Sequence, residues 1–83
     1  MPTKNLVYLL RSTRTGESYT GLTTDFARRL AEHNAGQNPS TVRSRPWELV
    51  ALIEFTREET AVQFERCLKT GSGRAFAKRH LEA

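Results

Sequence analysis

The sequence predicts a small mixed α/β (α+β) domain with the element order β-β-α-β-α-α. Three short runs rich in strand-forming residues alternate with segments whose apolar side chains recur at helical spacing. Turn-forming residues separate these segments. A chain of 83 residues has the length of one domain, so we expect a single domain over residues 1–83.

The first two strands are expected to form an antiparallel hairpin. Residues 6–10 are apolar on both sets of alternate positions, which is typical of a strand that is covered on both faces in the middle of a sheet. A polar stretch that ends in Gly16 separates them from residues 17–22, which alternate weakly. Residues 47–55 are predicted to form the third strand.

The first helix is predicted to begin at Phe26, after three residues whose side-chain oxygens can cap free amides. Its apolar spacing continues up to Gly36, which suits the position just past a helix end. Residues 37–46 contain two prolines and two arginines without periodicity, so they predict a mobile basic loop.

Two further helices are predicted near the end of the sequence. Residues 56–59 match the Ser/Thr-x-x-Glu capping box, which indicates a helix start, and the helix extends to about Lys69. Residues 70–73 contain two glycines and are predicted to break it. A short terminal helix is expected over residues 74–81.

The charge balance favours a polyanionic partner. Thirteen Lys and Arg against nine Asp and Glu give a formal net charge of +4. The longest fully apolar run, residues 6–10, is far below the roughly 18 residues of a membrane span. The single cysteine, Cys67, excludes an internal disulfide and is expected to pack. The start shows no leader pattern, so we expect a cytoplasmic protein without membrane attachment.

Two polar side chains face inward on the first helix. With Phe26 as reference on a helical wheel, Arg29 and His33 lie on the core side, whereas Arg28 points to solvent. A histidine in this position, taken alone, is more often a partly buried side chain that bonds a carbonyl.

Glu65 projects from the apolar stripe of the second helix, between Phe64 and Leu68. Burying an unpaired carboxylate costs several kcal/mol, comparable to the stability of so small a domain. Glu65 therefore needs a bound cation, an ion-pair partner or a wet cleft. The simpler alternative is a salt bridge to an arginine.

Two tyrosines are expected on one face of the hairpin. If the paired positions sum to about 27 or 29, the hydroxyls of Tyr8 and Tyr19 emerge on the same side of the sheet. Each tyrosine alone is more often a packed aromatic residue. Together with Arg29, His33 and Glu65 they indicate a site at the boundary between sheet and helices.

These residue types suit phosphodiester hydrolysis. Glu65 can hold one Mg²⁺ or Mn²⁺ through a carboxylate oxygen, with water at the remaining positions. Arg29 offers a planar pair of donors to phosphate oxygens. A tyrosine with a pKa near 10 is a poor base, so that role requires a metal, a cation or a proton relay nearby.

Over nearly its whole length the chain resembles the GIY-YIG nuclease superfamily. The resemblance rests on Tyr8 at the end of Leu6-Val7-Tyr8, on Tyr19-Thr20-Gly21, on Arg29 followed by His33, and on the late helical Glu65. It implies a three-stranded antiparallel sheet flanked by helices and cleavage of nucleic-acid phosphodiesters with one divalent metal ion. The chain is most similar to small stand-alone bacterial members related to the N-terminal domain of the excision-repair incision subunit.

The resemblance also implies a role for each residue of the site. Tyr8 would be the general base, Tyr19 a second active-site hydroxyl, Arg29 the phosphate clamp, His33 a proton relay, Glu65 the metal ligand, and Gly21 a point of close backbone approach. The chain departs from the family pattern twice. Leu6 replaces the first glycine of the motif, and no Asn follows Asn38, which leaves Ser72 as the candidate for a late polar residue.

Basic residues outside this site are candidates for phosphate contacts, although ordinary solvated surface charge is the simpler interpretation of each. The candidates are Arg43, Arg45, Lys69, Arg74, Lys78 and Arg79. Trp47 is expected to pack at a strand edge rather than stack on a base. Residues 71–73 are expected to form a plain turn rather than a phosphate cradle.

The predicted function is that of a metal-dependent endonuclease that hydrolyses DNA, selects nucleic-acid shape, and acts in DNA repair or processing. The expected partner is DNA, branched or damaged, with a partner protein or a second copy as a further candidate. One alternative is a non-catalytic nucleic-acid-binding module with the same fold. Another is a protein-interaction module whose charges serve only solubility.

Overall fold

The computed structural model describes residues 4–82. The elements follow in the order β1 (Asn5–Ser12), β2 (Ser18–Thr23), α1 (Phe26–Asn34), a single 3-10 turn (Val42–Ser44), β3 (Trp47–Phe55), α2 (Glu58–Leu68) and α3 (Gly71–His80). This order confirms the predicted α+β fold.

The sheet has three strands in the order β2-β1-β3, and β1 pairs antiparallel with both neighbours. Residues 6–10 of β1 are all buried, which confirms its predicted central position. Tyr8 pairs with Gly21 and Leu10 with Tyr19, so paired positions sum to 29. This register places Tyr8 and Tyr19 on the same face, because side chains two residues apart on a strand share a face.

Helices cover both faces of the sheet. On one face, Val7 and Leu9 pack with buried residues of α2 and α3. On the other face, Tyr8 and Leu10 pack with Trp47, and Phe26 and Leu30 of α1 lie against them; Trp47 is thus a packed aromatic, as predicted. Tyr8 therefore faces α1 rather than α2.

The two helix starts next to the sheet differ in their capping. The Asp25 side chain accepts a hydrogen bond from the Arg28 amide at 3.2 Å and caps α1, as predicted. The predicted capping box of α2 is wrong, because Arg57 occupies the N-cap position and no side chain caps the helix. Glu58 and Glu59 nevertheless lie in the first turn, where negative charge favours the helix dipole.

The terminal helix begins three residues earlier than predicted. The Thr70 hydroxyl accepts a hydrogen bond from the Gly73 amide at 3.1 Å and donates one to the Cys67 carbonyl at 2.7 Å. The predicted break between the two helices is thus present at Lys69 and Thr70, and the two glycines form the first turn of α3. The Gly73 amide is already bonded within the chain. Cys67 itself is exposed, so the expectation that it packs is wrong.

The segment over residues 37–46, which was predicted as a mobile basic loop, contains the 3-10 turn and is held by buried contacts. Thr41 and Ser44 are buried, and the Trp47 indole donates a hydrogen bond to the Thr41 carbonyl at 2.9 Å. The Asn34 side chain bonds both the amide and the carbonyl of Trp47, at 2.7 and 3.1 Å. None of the helices over residues 4–82 has the length and apolarity needed to cross a bilayer.

Gly73→Ala is expected to destabilise the domain, whereas Gly71→Ala is not. A methyl group at position 73 would overlap the backbone carbonyl of Cys67, but at position 71 it meets open space. We expect a loss of about 1–3 kcal/mol for Gly73→Ala and no loss for Gly71→Ala, measured by urea denaturation. Equal stability of the two variants would contradict this packing of α3 on α2.

Candidate active site

The centre of the site is a buried hydrogen bond between β1 and α1. The Tyr8 hydroxyl lies 2.9 Å from His33 Nε2, and the two residues are only 2% and 0% exposed. His33 faces inward because α1 begins at Phe26 and turns every third or fourth side chain to the sheet. Arg29 is half-buried and Arg28 is exposed, in agreement with the helical wheel.

Thr41 continues this line of hydrogen bonds. Its hydroxyl lies 2.8 Å from His33 Nδ1, and the residue is 1% exposed. The same hydroxyl donates to the Asn38 carbonyl at 3.5 Å. With the hydroxyl proton directed to that carbonyl, the neutral imidazole would donate from Nδ1 to the Thr41 oxygen and accept the Tyr8 hydroxyl proton at Nε2. The interpretation of His33 as bonding a carbonyl is therefore wrong.

Gly21 allows the Tyr8 ring to reach across β2. The two residues are paired in the hairpin, and a Cβ atom at position 21 would overlap the Tyr8 hydroxyl. The Tyr8 ring packs against Phe26 and Tyr19, with centroids 5.6 and 6.3 Å apart. Tyr19 also lies edge-on to the His33 ring at 5.0 Å. Tyr8, Tyr19 and His33 thus form one aromatic cluster next to Gly21.

Burial raises the pKa of Tyr8 from 10.0 to about 12, and the nearby Tyr19 adds to this shift. The positive charge of Arg29 opposes it, whereas Glu65 and Glu32 reinforce it. Tyr8 is therefore a neutral phenol at physiological pH, and both Arg29 and Glu65 act electrostatically on its hydroxyl.

Burial also lowers the pKa of His33 below its ordinary value of 6.5. The Arg29 guanidinium lowers it further, and Glu32 acts in the opposite direction. The imidazole is thus neutral above about pH 6.5, which agrees with the acceptor role of Nε2.

The arginine of the site borders a cavity beside His33. Arg29, Glu32 and His33 line this cavity of about 380 Å³. An Arg29 nitrogen lies 3.5 Å from a Glu32 oxygen, and the exposed Arg28 lies 3.8 Å from the other. A phosphate oxygen that enters the cavity would replace Glu32 as the partner of Arg29.

Glu65 approaches from α2, which covers the other face of the sheet. Its side chain is 15% exposed, and its carboxylate pairs with Lys69 Nζ at 2.6 Å, one helical turn further on. The partner of Glu65 within the chain is thus a lysine and not the arginine that the simpler alternative expected. The charge of the Glu65 carboxylate is therefore compensated within the chain.

Most of the chain matches a known domain family. The model of the GIY-YIG catalytic domain matches residues 4–79. The chain belongs to the GIY-YIG family.

Several relatives of this GIY-YIG domain are known. The structure-specific endonuclease subunit SLX1 of Paracoccidioides brasiliensis (strain Pb03) is 48% identical over 65 residues, which cover 70% of this chain and 15% of that protein. A UPF0213 protein of Cupriavidus pinatubonensis is 41% identical over 64 residues, covering 76% of this chain and 70% of that protein. The chain thus spans only 15% of the length of the SLX1 protein but most of the small bacterial relative.

The fold is also similar to a solved structure. The solution NMR structure of the UPF0213 protein BH0048 from Bacillus halodurans matches with a TM-score of 0.57 and 36% identity. The match covers 90% of this chain and 80% of that one. The resemblance to the small stand-alone type of GIY-YIG domain is therefore confirmed.

The residues present suit a divalent ion that is held by a single carboxylate. Over residues 4–82, no three His, Cys, Asp or Glu side chains come together as a ligand cluster. Mg²⁺ commonly binds through one or two carboxylates and completes its coordination with water and substrate phosphates. Glu65, with a cation already at its oxygen, fits this mode of binding.

The predicted basic residues lie in different places. Arg43 and Arg45 are exposed around the 3-10 turn, and Arg45 donates to the Val42 carbonyl at 3.1 Å. Lys69, Arg74 and Lys78 line one cleft, and Arg79 is not among its lining residues. The exposed Ser72 hydroxyl has Thr70 as its partner, at 3.4 Å.

Thr41 is the residue of the site that sequence reasoning missed. It lies in a polar segment without periodicity, so no pattern distinguishes it from its neighbours. The spacing of eight residues from His33 carries no regular signal. Only the buried contact of its hydroxyl with the imidazole identifies it.

Thr41→Val is expected to destabilise the domain by about 1–3 kcal/mol, because the His33 Nδ1 proton would lose its buried acceptor. Thr41→Ser keeps the hydroxyl and should retain most of the stability. Urea denaturation measures the difference, and nitrogen NMR of the imidazole reports the tautomer. The same tautomer and stability in the valine and serine variants would contradict the assigned line of hydrogen bonds.

Stability is expected to fall as the pH drops below about 6.5, because the depressed pKa of His33 disfavours its protonation in the folded state. This contribution is complete above the ordinary pKa and is lost as the pH falls through the lower folded value. Urea midpoints between about pH 7.5 and 5.5 should show the decline, with a weaker decline in His33→Gln. The exposed His80 provides the control, and a decline that disappears in His80→Gln instead would refute the assignment.

Proposed function

We propose that this GIY-YIG domain is a metal-dependent endonuclease that hydrolyses DNA phosphodiester bonds. The observation that carries the proposal is the buried hydrogen-bonded line from Tyr8 through His33 to Thr41, with Arg29 and Glu65 acting on the tyrosine hydroxyl. A polar network inside so small a core is costly unless it is fully bonded. Every member of this network is bonded, and its placement next to two charged groups supports a catalytic role.

The line of hydrogen bonds gives the attacking water a proton acceptor. With a pKa of about 12, Tyr8 would form a free phenolate only at a high energetic cost. We propose instead that Tyr8 passes its hydroxyl proton to His33 Nε2 while it accepts a proton from water. The oxygen of that water then bonds to phosphorus as the bond to the leaving oxygen breaks. Thr41 holds the imidazole in the tautomer that this transfer requires.

Arg29 and Glu65 would both act on the scissile phosphate. Arg29 would exchange its contact with Glu32 for two hydrogen bonds to non-bridging oxygens, where a guanidinium fits well. Glu65 would hold one Mg²⁺ or Mn²⁺. When bound, the ion supplies positive charge to the phosphate and to the leaving oxygen.

Tyr19 is the second hydroxyl of the site. It is half-buried, whereas Tyr8 is almost closed to solvent, and its hydroxyl forms no hydrogen bond with any part of residues 4–82. Tyr19 is thus available to contact the substrate and the entering water.

The substrate we propose is branched or damaged DNA, cleaved in repair or processing in the cytoplasm. Support comes from the SLX1 relatives, which are named structure-specific endonuclease subunits. Those proteins are much longer than this chain. We propose that a partner protein or a second copy enlarges the small surface with which this domain contacts DNA.

A non-catalytic nucleic-acid-binding module is the second candidate. The observation in its favour is that both charged groups of the site have internal partners, since Glu65 pairs with Lys69 and Arg29 lies beside Glu32. In such a module these pairs would persist when DNA binds. An assay of DNA cleavage distinguishes the endonuclease from the binding module.

Labelled branched and linear DNA should be cleaved in the presence of Mg²⁺ or Mn²⁺. Tyr8→Phe and Arg29→Ala are each expected to reduce the rate by roughly 100-fold or more, through loss of the proton acceptor and of the phosphate donors. Glu65→Gln should have at least the same effect. The exposed Glu59 on the same helix provides the matched control, Glu59→Gln, which should cleave like the wild type.

Equal cleavage by the wild type and the Glu65→Gln variant would refute the assignment. Salt-dependent DNA binding without cleavage on any substrate would favour the binding module. Absence of DNA binding even at low salt would favour a protein-interaction module.

A further inference from the structure

A second cavity adjoins the candidate active site at the start of α1. It has a volume of about 260 Å³ and lies where the beginning of β1, the end of β2 and the first turn of α1 come together. Arg29 lines this cavity and also the cavity beside His33. The proposed phosphate clamp therefore stands between two cavities. We call the one at the start of α1 the basic cavity.

Three cationic side chains line the basic cavity. Lys4 reaches it from the beginning of β1, and Arg28 and Arg29 reach it from α1. Lys4 forms no salt bridge within residues 4–82. The two arginines lie beside one carboxylate, that of Glu32, at 3.8 and 3.5 Å. Two guanidinium groups thus share a single acidic partner, and the ammonium group of Lys4 has none.

The acidic groups near the basic cavity do not cancel its positive charge. Glu58 lines the cavity from the first turn of α2 and forms no salt bridge with another part of residues 4–82. Asp25 caps α1 and is not a lining residue. The three cations therefore outnumber the carboxylates of Glu58 and Glu32. An anion in the cavity would be attracted by the cations and repelled by Glu58.

The cavity on the other side of Arg29 has a different chemistry. Arg29, Glu32 and His33 line it together with two amides and a proline, which are Gln37, Asn38 and Pro39. Burial lowers the pKa of His33, so Arg29 is the one cation among these lining residues. A second negative group of the substrate would therefore be favoured in the basic cavity and not beside His33.

The ligand that suits the basic cavity is a phosphate group. Phosphates recur at every nucleotide of a strand, so a phosphate on Arg29 has a neighbour one nucleoside away. Arginine offers phosphate oxygens a planar pair of donors, and lysine offers them a point charge. The cavity has room for one phosphate with its water and is too small for a duplex.

We propose that the basic cavity binds the phosphate next to the scissile phosphate in the same strand, with Lys4 and Arg28 as its partners. This inference rests on the proposed nuclease function and adds the position of the strand, which would run from Arg29 toward the beginning of β1. Contacts of this kind fix the register of a strand and read no base. Lys4 and Arg28 are thus binding residues and take no part in the proton transfers.

The test compares nucleotides with one and with two phosphates in metal-free buffer with EDTA. The 3′- and 5′-monophosphates of thymidine each offer one phosphate to Arg29. Thymidine 3′,5′-bisphosphate offers two phosphates that one nucleoside separates. NMR titration of the full chain at low salt gives the dissociation constants. The wild type should bind the bisphosphate about 5-fold more tightly than either monophosphate, through two exposed ionic contacts.

Removing the two kinds of charge should have opposite effects. Lys4→Ala/Arg28→Ala should abolish most of the preference for the bisphosphate and leave monophosphate binding to Arg29. Lys4→Ala alone should abolish part of it, and it alters no salt bridge within residues 4–82. Glu58→Gln should increase the preference, because it removes the repelling carboxylate from the cavity.

The matched control is Arg14→Ala/Arg66→Ala. It removes the same charge from two exposed residues that line neither cavity. This variant should keep the wild-type preference. An equal loss in both double variants, an unchanged preference in Lys4→Ala/Arg28→Ala, or a wild type that does not prefer the bisphosphate would each overturn the proposal.

The cleavage assay distinguishes this proposal from the nuclease assignment. A wild type that prefers the bisphosphate through Lys4 and Arg28 but cleaves no DNA would refute the nuclease and keep the phosphate site. Cleavage of DNA by a wild type without this preference would refute the phosphate site and keep the nuclease.

Discussion

The hydrogen bond from Tyr8 to His33 joins two segments of the chain that lie 25 residues apart in the sequence. It connects the central strand to the first helix, and Thr41 extends it into the segment that leads to β3. Each of these polar groups is buried and satisfied by the next, so removing one exposes the others to the full cost of desolvation. The same line of bonds is therefore a structural requirement and the proton pathway of the proposed reaction.

A second constraint is the lack of space above Gly21. The aromatic ring of Tyr8 occupies the volume that any other side chain at position 21 would need. The ring thereby reaches across β2, where Glu65 from the helix on the other face acts on its hydroxyl. The site is thus assembled at a sheet edge from both helical layers, and neither layer contains it alone.

The sequence predicted the features that depend on local periodicity. The element order, the shared face of Tyr8 and Tyr19 and the inward direction of Arg29 and His33 all follow from repeats of two or 3.6 residues. The sequence alone leaves the register open between sums of 27 and 29. The features that were missed depend on individual side-chain hydrogen bonds, which leave no periodic pattern in the sequence. Thr41 carries no pattern, and Thr70 starts α3 through a bond to Gly73 that resembles a helix break in sequence. Glu65 was expected to pair with an arginine, and it pairs instead with Lys69, one helical turn further on. Sequence spacing alone did not identify this lysine as the partner.

The pair of Glu65 and Lys69 means that the chain carries its own counter-ion. The largely buried carboxylate is compensated by an ammonium group on the same helix. The divalent ion proposed at Glu65 would have to displace this ammonium group. Lys69 also lines the cleft of Arg74 and Lys78, so its released charge would add to theirs. Metal binding and the positive charge of that cleft would then be coupled through a single side chain.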